Sequence, residues 1–306
     1  MRIITRTGYG NQLQSCLVQS INHILQPYTT LNEALLDPLI VPFKPAVATA
    51  AKETYQPYDS ELDTKKYATN FFVIGNLGHR STIVGSIAVN VPVPHASTDS
   101  GLYSWIPFVA KEIHPTNNDL SIAERENYRL RVIMQIDGKL YAVYYAKRMD
   151  TSATSSDLLL TTVDGSNEST ALFSPSIANL RPTQPPVGTT SSGSYLTTGS
   201  VTTVPFTADE VAEIIAACTL IFGNPALATI TEMGIVQGVD KEIETVYPAT
   251  GTQNPVAVAP NTYFELAGAQ IATFMCVEYP LSSLNNGFSF TVDLGVTEPL
   301  FGAEIS

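Results

Sequence analysis

His95, Ser97 and Asp99 lie close together in the sequence and carry the three side-chain types of a hydrolase triad. Prolines flank this segment, which predicts a loop, and nearness along a chain does not establish the geometry in which a histidine activates a nucleophile. The chain also lacks the G-x-S-x-G nucleophile elbow of many hydrolases. We therefore assign no catalytic role to these three residues.

Other residues that could supply acid, base or metal chemistry are just as isolated. Glu124 and Glu126 could suggest the paired carboxylates of a glycosidase, but residues two positions apart on a helix point to different faces. No H-E-x-x-H or H-x-H pattern connects the four histidines, His23, His79, His95 and His114. The sequence therefore predicts a protein without enzymatic activity, with no metal, no cofactor and no catalytic residue.

Two segments have features of phosphate or nucleic-acid binding. Residues 75–80 read GNLGHR, but they lack the G-x-G-x-x-G pattern and the P-loop lysine, so we interpret them as a turn between strands. Residues 125–148 alternate basic side chains with tyrosines, which could stack on bases. Because no recognised nucleic-acid motif accompanies this pattern, we favour a protein interface over single-strand binding.

The composition is unusual for a soluble monomer. Only 14% of the 306 residues are charged, whereas about a quarter is typical. The net charge of −12 is also uneven, because residues 1–148 hold 14 basic and 12 acidic side chains, whereas residues 149–306 hold 2 and 16. An acidic body repels phosphate backbones, so a nucleic-acid partner is unlikely on these grounds, and a protein partner is expected.

The cysteines and the apolar runs indicate in which cellular compartment the protein is expected. The three cysteines, Cys16, Cys218 and Cys276, cannot all pair and show no C-x-x-C spacing, which predicts buried, reduced thiols. The first twelve residues contain no apolar signal-peptide core, and no apolar run reaches the roughly 18 residues of a membrane span. We expect a protein that is made in the cytoplasm and has no membrane span.

The elements that would position these residues are mostly strands. Runs rich in branched and aromatic residues predict strands at 70–77, 82–91, 228–239, 263–279 and 288–296. The apolar spacing of residues 12–25 predicts an amphipathic helix, and capping boxes at Ser121–Glu124 and Thr207–Glu210 predict two further helix starts. The expected fold class is α+β and strand-rich, with antiparallel sheets, a few amphipathic helices and two domains.

Residues 129–149 predict a β-hairpin whose turn is Asp137-Gly138, since a type I′ turn needs positive φ at both central positions. One face then pairs Val132 with Val143 and suits the core of the domain. The opposite face is also apolar, and burying each of its large side chains would contribute about 1.5–3 kcal/mol. We predict that this face is a protein interface, with a cover from the same chain, such as the helix at 12–25, as the alternative. The interface candidates are Arg131, Ile133, Leu140 and Tyr144.

A change in composition predicts the domain boundaries. Residues 182–208 contain no charged side chain and are dense in Pro, Gly, Ser and Thr. Such a segment is typical of a linker, or of an extended arm that becomes ordered against a neighbour. We expect an N-terminal domain over 1–180, an arm or linker over 181–205, and an acidic C-terminal domain over 206–306.

Four segments carry a family resemblance. They read KYATNFFVIGNLGHR at 66–80, LYSWIPFVAKEI at 102–113, NNDLSIAERENYRLR at 117–131 and DGKLYAVYYAKRMD at 137–150. Together they resemble virion structural proteins of large contractile-tailed bacteriophages, and residues 230–240, ITEMGIVQGVD, are similar to a strand motif of phage tail and fibre proteins. No catalytic residue is carried over by this resemblance.

The resemblance implies a structural subunit that binds other virion proteins and copies of itself, in the tail, baseplate or neck. It also implies that the protein is made in the host cytoplasm and ends in the virion. A capsid or decoration protein is the nearest alternative, and a receptor-binding or glycan-binding virion module, or a glycan-cleaving enzyme, is the alternative from another class.

Overall fold

The computed structural model describes residues 3–26, 28–35, 61–62, 67–114, 118–151, 156–164, 166–182, 191–245, 261–281 and 287–301. This part of the chain has a strand-rich α+β fold in which every strand pairing is antiparallel, as the sequence predicts. It forms two compact units. The first unit combines residues 1–148 with 206–288, and the second combines 149–205 with 289–306.

The bounds of the elements are as follows. The described strands are β1 Ile3–Arg6, β2 His23–Ile24, β3 Glu61–Leu62, β4 Tyr67–Gly75, β5 His79–Val84, β6 Ile87–Pro92, β7 Trp105–Ile106, β8 Val109–His114, β9 Tyr128–Ile136, β10 Lys139–Arg148, β11 Ser156–Asp164, β12 Asn167–Leu172, β13 Ser191–Phe206, β14 Thr229–Thr245, β15 Asn261–Pro280, β16 Phe288–Asp293 and β17 Val296–Phe301. The described helices are α1 Gly8–Gln19, α2 Leu31–Leu35, α3 Ile122–Arg125, α4 Ile177–Leu180 and α5 Ala208–Phe222.

The first unit is built on an eight-stranded sheet. Its strand order is β1-β15-β14-β4-β10-β8, with β9 on the free edge of β10 and β7 on β4. The long β14–β15 pair lies at its centre, and α1 and α2 pack against β15. The core joins apolar side chains from α2, β4, β9, β10, β14 and β15, including Leu31, Phe71, Val132, Val143, Val236 and Phe274.

Two capping boxes begin helices at the predicted residues. Ser121 and Glu124 exchange side-chain and backbone hydrogen bonds at the start of α3, and Thr207 and Glu210 do the same at α5. Gly223 ends α5 with a φ of 68°, a left-handed conformation that glycine adopts without steric cost. The sequence could predict these helix ends because each one depends on residues within a single helical turn.

The predicted hairpin is confirmed in its turn and in most of its register. Asp137 and Gly138 have φ values of 49° and 77°, as a type I′ turn requires. Val132 faces Val143, and Tyr144 faces Arg131. Leu130 departs from the pattern, because its φ of 54° interrupts the ladder opposite Tyr145.

The predicted interface on the hairpin is wrong, because the chain covers that face itself. Tyr144 is fully buried and Ile133 is 5% exposed, while Leu140 is half-buried. Asp119 accepts a hydrogen bond of 2.7 Å from the Tyr144 hydroxyl and pairs with Arg131 at 2.8 Å. Asp119, in the segment directly before the hairpin, therefore takes part in covering this face.

The helix predicted over 12–25 is also not the cover. α1 begins four residues earlier than expected and ends at Gln19, because Ser20 adopts a left-handed conformation and closes the helix. It packs against β15, with Leu13 and Cys16 buried. The remaining apolar residues of the predicted stripe do not all reach the core, since Leu17, Ile21 and Ile24 are exposed.

The domain boundaries expected at 181–205 are corrected. Residues 191–206 form β13, which pairs with β11 and β17 in a five-stranded sheet, so they are not a linker or a free arm. Residues 183–190 of that expected segment lie outside the described residues. Neutral Ser, Thr and Gly residues can form a strand because ladder hydrogen bonds use the backbone alone. Residues 206–288 belong to the first unit because β14 and β15 pair with β4 and β1.

Replacing Tyr144 with Phe should test the internal cover. The ring would stay packed, but Asp119 would lose the hydroxyl donor, and a buried hydrogen bond to a charged group contributes about 1.5–3 kcal/mol. Tyr141→Phe is the matched control, because its hydroxyl makes a longer contact of 3.3 Å with Glu112 nearer the surface. We expect chemical denaturation to show the larger loss for Tyr144→Phe, and equal losses would contradict the burial of this face.

The buried His23 should make stability depend on pH. Burial lowers the pKa of His23 below its ordinary value of 6.5, although its Nε2 contacts the Gln270 side chain at 2.8 Å. Below that ordinary value the unfolded chain binds a proton that the folded chain does not, so stability falls as the pH drops from 7 to 5. We expect His23→Gln to lose less stability over this interval in denaturation measurements, whereas parallel curves would contradict the assignment.

Candidate functional site

Glu232 on β14 is the centre of a buried polar cluster. Its side chain is fully buried, and Oε1 accepts hydrogen bonds from the backbone N–H groups of Leu77 (3.3 Å) and Ser104 (3.0 Å). Oε2 accepts from the Tyr103 N–H at 3.0 Å and contacts His95 Nε2 at 2.9 Å. One carboxylate therefore connects two loops, near residues 77 and 95–104, to the central sheet.

The ring of His95 contacts carboxylates on both sides. Its Nδ1 lies 3.2 Å from Asp99 Oδ2, and its Nε2 faces Glu232. The ring is stacked between Tyr103 and Phe274, with centroids 4.1 and 3.8 Å away.

This geometry does not supply nucleophilic catalysis. A triad needs the second ring nitrogen to accept a proton from a hydroxyl or thiol, and here that position is taken by Glu232. The structure thus joins His95 and Asp99 from the candidate trio but gives Ser97 a different role, because its backbone carbonyl accepts a hydrogen bond from Gly8 N–H. Glu232 could not be identified from sequence, since it lies 137 residues away from His95.

The thiols of Cys276 and Cys218 are equally unsuited to nucleophilic chemistry. Burial raises the pKa of Cys276, and that of Cys218 to about 12, which disfavours the reactive thiolate. All three cysteines are free and buried, in agreement with the predicted reduced thiols. Within the residues that the structure describes, no three His, Cys, Asp or Glu side chains form a group that could hold a metal ion.

Gly75 and Gly78 allow their backbone to pack closely against neighbouring segments. A Cβ on Gly75 would lie 2.1 Å from the Ser104 carbonyl oxygen, and one on Gly78 would lie 2.3 Å from that of Thr231. The Gly78 N–H donates to the Thr231 hydroxyl at 2.8 Å. This loop therefore follows β4 as the predicted turn, and its glycines allow close approach of the backbone to β14.

The basic cluster of 125–148 is largely neutralised within the chain. Arg129 and Arg148 both pair with Asp240, and their guanidinium groups lie 5.4 and 4.6 Å from the ring centroid of Phe71. The other ion pairs of the cluster are Arg131 with Asp119, Lys139 with Glu112, and Lys147 with Glu210. Burial lowers the pKa of Lys147 even though Glu210 lies 2.5 Å away. The alternation of basic and aromatic residues thus builds internal contacts.

Exposed side chains mark three parts of the surface that the sequence pattern did not reveal. The first is the N-terminal segment around α1, which we term the α1 segment, where Leu17, Val18, Ile21, Ile24 and Tyr28 are exposed. Leu13 and Cys16 of α1 are buried, and the helix packs against β15. The α1 segment therefore leaves apolar side chains in water while the helix is already packed.

The second surface is the ribbon formed by β5 and β6. These strands pair with each other over six residue pairs, from His79 with Pro92 to Val84 with Ile87. Ile83 is 76% exposed and Ile87 is 66% exposed. A two-stranded ribbon is marginally stable by itself, so apolar residues near its tip suit a contact with another surface.

The third surface is the outer part of the five-stranded sheet in the second unit. Its order is β12-β11-β13-β16, with β17 on β13. All six residues of β12 are exposed, and Thr161 is the buried residue of β11. Domains normally bury a sheet face against a second layer, and β12 is the strand of this sheet whose side chains are exposed on both faces, whereas β11 is partly buried.

The described chain is thus an antiparallel α+β protein whose buried polar residues connect loops to a sheet. Residues 48–306 match the model of DUF7208, a family of unknown function, and the chain belongs to that family. No curated protein and no solved structure matches the chain. No helix among the described residues is long and apolar enough to cross a membrane.

Replacing Glu232 with Gln should destabilise the fold strongly. One carboxylate oxygen would become an NH₂ group facing buried N–H donors, and each buried donor left unsatisfied costs about 1–3 kcal/mol. We expect this loss of unfolding free energy in chemical denaturation.

Glu112→Gln is the matched control for this change. Glu112 pairs with Lys139 near the surface, where an ion pair contributes about 0–1 kcal/mol. If both variants unfold at the same denaturant concentration, Glu232 does not hold the loops to the sheet.

Proposed function

We propose that this chain is a non-enzymatic structural subunit of a tailed-phage virion, and that it assembles through protein–protein interfaces in the tail, baseplate or neck. The observation that carries the proposal is the set of exposed apolar side chains in the α1 segment and on the β5–β6 ribbon, together with the fully exposed outer strand β12 of the second sheet. Contiguous exposed apolar area is uncommon on monomeric proteins and is typical of binding surfaces.

The buried ionisable groups support the non-enzymatic part of the proposal. Glu232, His95 and Asp240 each have hydrogen-bond or ion-pair partners that connect parts of the fold. Perturbed or buried ionisable groups mark active sites when they line a cleft beside a reactive group, and in this cluster the ring nitrogens of His95 face carboxylates.

The proposal that this chain belongs to a virion rests on the sequence resemblance. The low charged fraction of 14% agrees with it, because a subunit that buries much of its surface against neighbours needs fewer charges for solubility. The partners are then other virion proteins and copies of this chain, with no small-molecule substrate. Trp105 packs edge-on against Tyr145 beside the core, so no exposed tryptophan platform favours the glycan-binding alternative.

The location can be tested in purified phage particles. Virions of the phage that encodes the chain should be separated into heads and tails, and the protein quantified in each fraction by mass spectrometry. We expect several copies in the tail fraction. Presence in heads alone would favour the capsid or decoration alternative, and absence from both fractions would contradict the proposal. Turnover of ester, peptidoglycan or polysaccharide substrates by the purified chain would contradict its non-enzymatic part.

A further inference from the structure

Hydrogen bonds fix the base of the β5–β6 ribbon. Where the chain enters the ribbon, the Leu77 N–H donates to Glu232 Oε1 at 3.3 Å, and the Gly78 N–H donates to the Thr231 hydroxyl at 2.8 Å. Where the chain leaves the ribbon, the Val93 N–H donates to the Gly78 carbonyl at 2.8 Å. The ribbon therefore projects from a base that is attached to β14.

Glu232 contacts both sides of this base. Besides the N–H of Leu77, its carboxylate accepts the N–H groups of Tyr103 and Ser104, and it faces the ring of His95 at 2.9 Å. His95 lies three residues after the end of β6, and its side chain is fully buried. The contact of His95 with Glu232 thus holds the loop that leaves the ribbon against β14.

The ring of His95 and its two carboxylate neighbours, which we term the His95 cluster, share protons. Nε2 lies 2.9 Å from Glu232 and Nδ1 lies 3.2 Å from Asp99. Each of these contacts is attractive only with a hydrogen between nitrogen and oxygen, because lone pairs that face each other repel. Both protons can be on the ring, or one can be on the ring and one on a carboxyl group. In either arrangement the three residues together hold two protons.

The other titratable groups beside the cluster stay neutral near pH 7. Burial raises the pKa of Tyr103, whose ring stacks on that of His95, and the pKa of the Cys276 thiol on β15. Within the described part of the chain, His95 is the ion-pair partner of both Glu232 and Asp99, and no lysine or arginine pairs with either. A change of protonation at this place near neutral pH therefore belongs to the His95 cluster.

Opening of the cluster releases a proton at neutral pH. An exposed histidine is mostly neutral at pH 7 and exposed carboxyl groups are ionised, so the three residues hold about one proton once they separate. The closed cluster holds one more, and the state that binds more protons loses stability relative to the other as the pH rises. The ratio of open to closed molecules therefore rises by up to about tenfold per pH unit above the range in which an exposed histidine titrates.

We propose that the His95 cluster is a pH-responsive clamp, which holds the base of the β5–β6 ribbon more tightly at pH 6 than at pH 8. Loss of the shared proton leaves a nitrogen lone pair facing a carboxylate oxygen, so the loop that carries His95 is held less firmly against β14. The exposed side chains of Ile83 and Ile87 near the tip move with the ribbon. This property goes beyond the proposed function and does not depend on it.

Hydrogen exchange of the full chain, followed by mass spectrometry at pH 6, 7 and 8, tests the clamp. After correction for the intrinsic pH dependence of amide exchange, we expect the protection of residues 79–92 to fall by up to about tenfold per pH unit. The hairpin of β9 and β10 belongs to the same unit and serves as the internal reference, because its protection should not fall over this interval. It also reports the global effect of His23, which has the opposite sign.

Three variants assign the effect to the cluster. His95→Gln should remove the pH dependence, because an amide does not titrate in this range. His114→Gln is the matched control and should keep the wild-type pH dependence, since His114 ends β8, outside the cluster. If His95→Gln does not fold, Asp99→Asn carries the test, because the Asp99 side chain is 32% exposed. Its amide can donate to a neutral ring, so the ribbon of this variant should stay protected at pH 8.

Other outcomes would overturn the clamp. Equal protection of residues 79–92 at pH 6 and pH 8 would show that loss of the proton only turns Asp99 toward water. An equal fall in the ribbon and in the hairpin would show a change in global stability. The inference would also be wrong if the pH dependence persisted in a folded His95→Gln or in Asp99→Asn, or if it disappeared in His114→Gln.

Discussion

Three carboxylates on the central strands connect the first unit. Glu232 on β14 holds the loops near residues 77 and 95–104, and Asp240 on the same strand pairs with Arg129 and Arg148. Glu265 on β15 is 1% exposed and accepts the Leu130 N–H at 2.6 Å, where the β9 ladder is interrupted. Because an unpaired buried carboxylate or N–H is costly, each of these groups requires its distant partner to be in place. The N-terminal segments and the β14–β15 pair can therefore reach the native structure only together.

This constraint explains the uneven charge of the sequence. Several acidic residues that follow position 205 are far from the basic residues along the chain but pair with them in the fold, as Glu213 does with Lys111 and Glu210 with Lys147. By count, the first unit holds 15 basic and 21 acidic residues, and the second holds 1 and 7, so each unit carries a net charge of −6. The sequence halves thus differ in charge for two reasons: acidic residues of the second half complement basic residues of the first inside one unit, and seven further acidic residues belong to the second unit.

Many charged side chains of the first unit form ion pairs between its own strands and loops, and some uncharged segments lie at the surface. Basic and acidic side chains that could solubilise the exterior are engaged between strands and loops, while α1 and the β5–β6 ribbon present apolar residues to solvent. The described ionisable groups connect elements of the fold, and some apolar side chains of α1 and of the β5–β6 ribbon stay exposed, which is the distribution that our proposal of an assembling subunit requires.

The sequence by itself determined the features that depend on neighbouring residues. Asp137-Gly138 fixed the turn and register of the hairpin, and the capping boxes fixed the starts of α3 and α5. Only the tertiary structure decided what covers Tyr144, where residues 191–206 pair, and that Glu232 meets His95. The physical reason is that turns and caps are satisfied within a few residues, so their residue types are sufficient evidence. Burial and pairing between distant segments depend on which surfaces the whole chain brings together. The hydrophobic effect is non-directional, so an apolar residue does not indicate in the sequence which other segment will cover it.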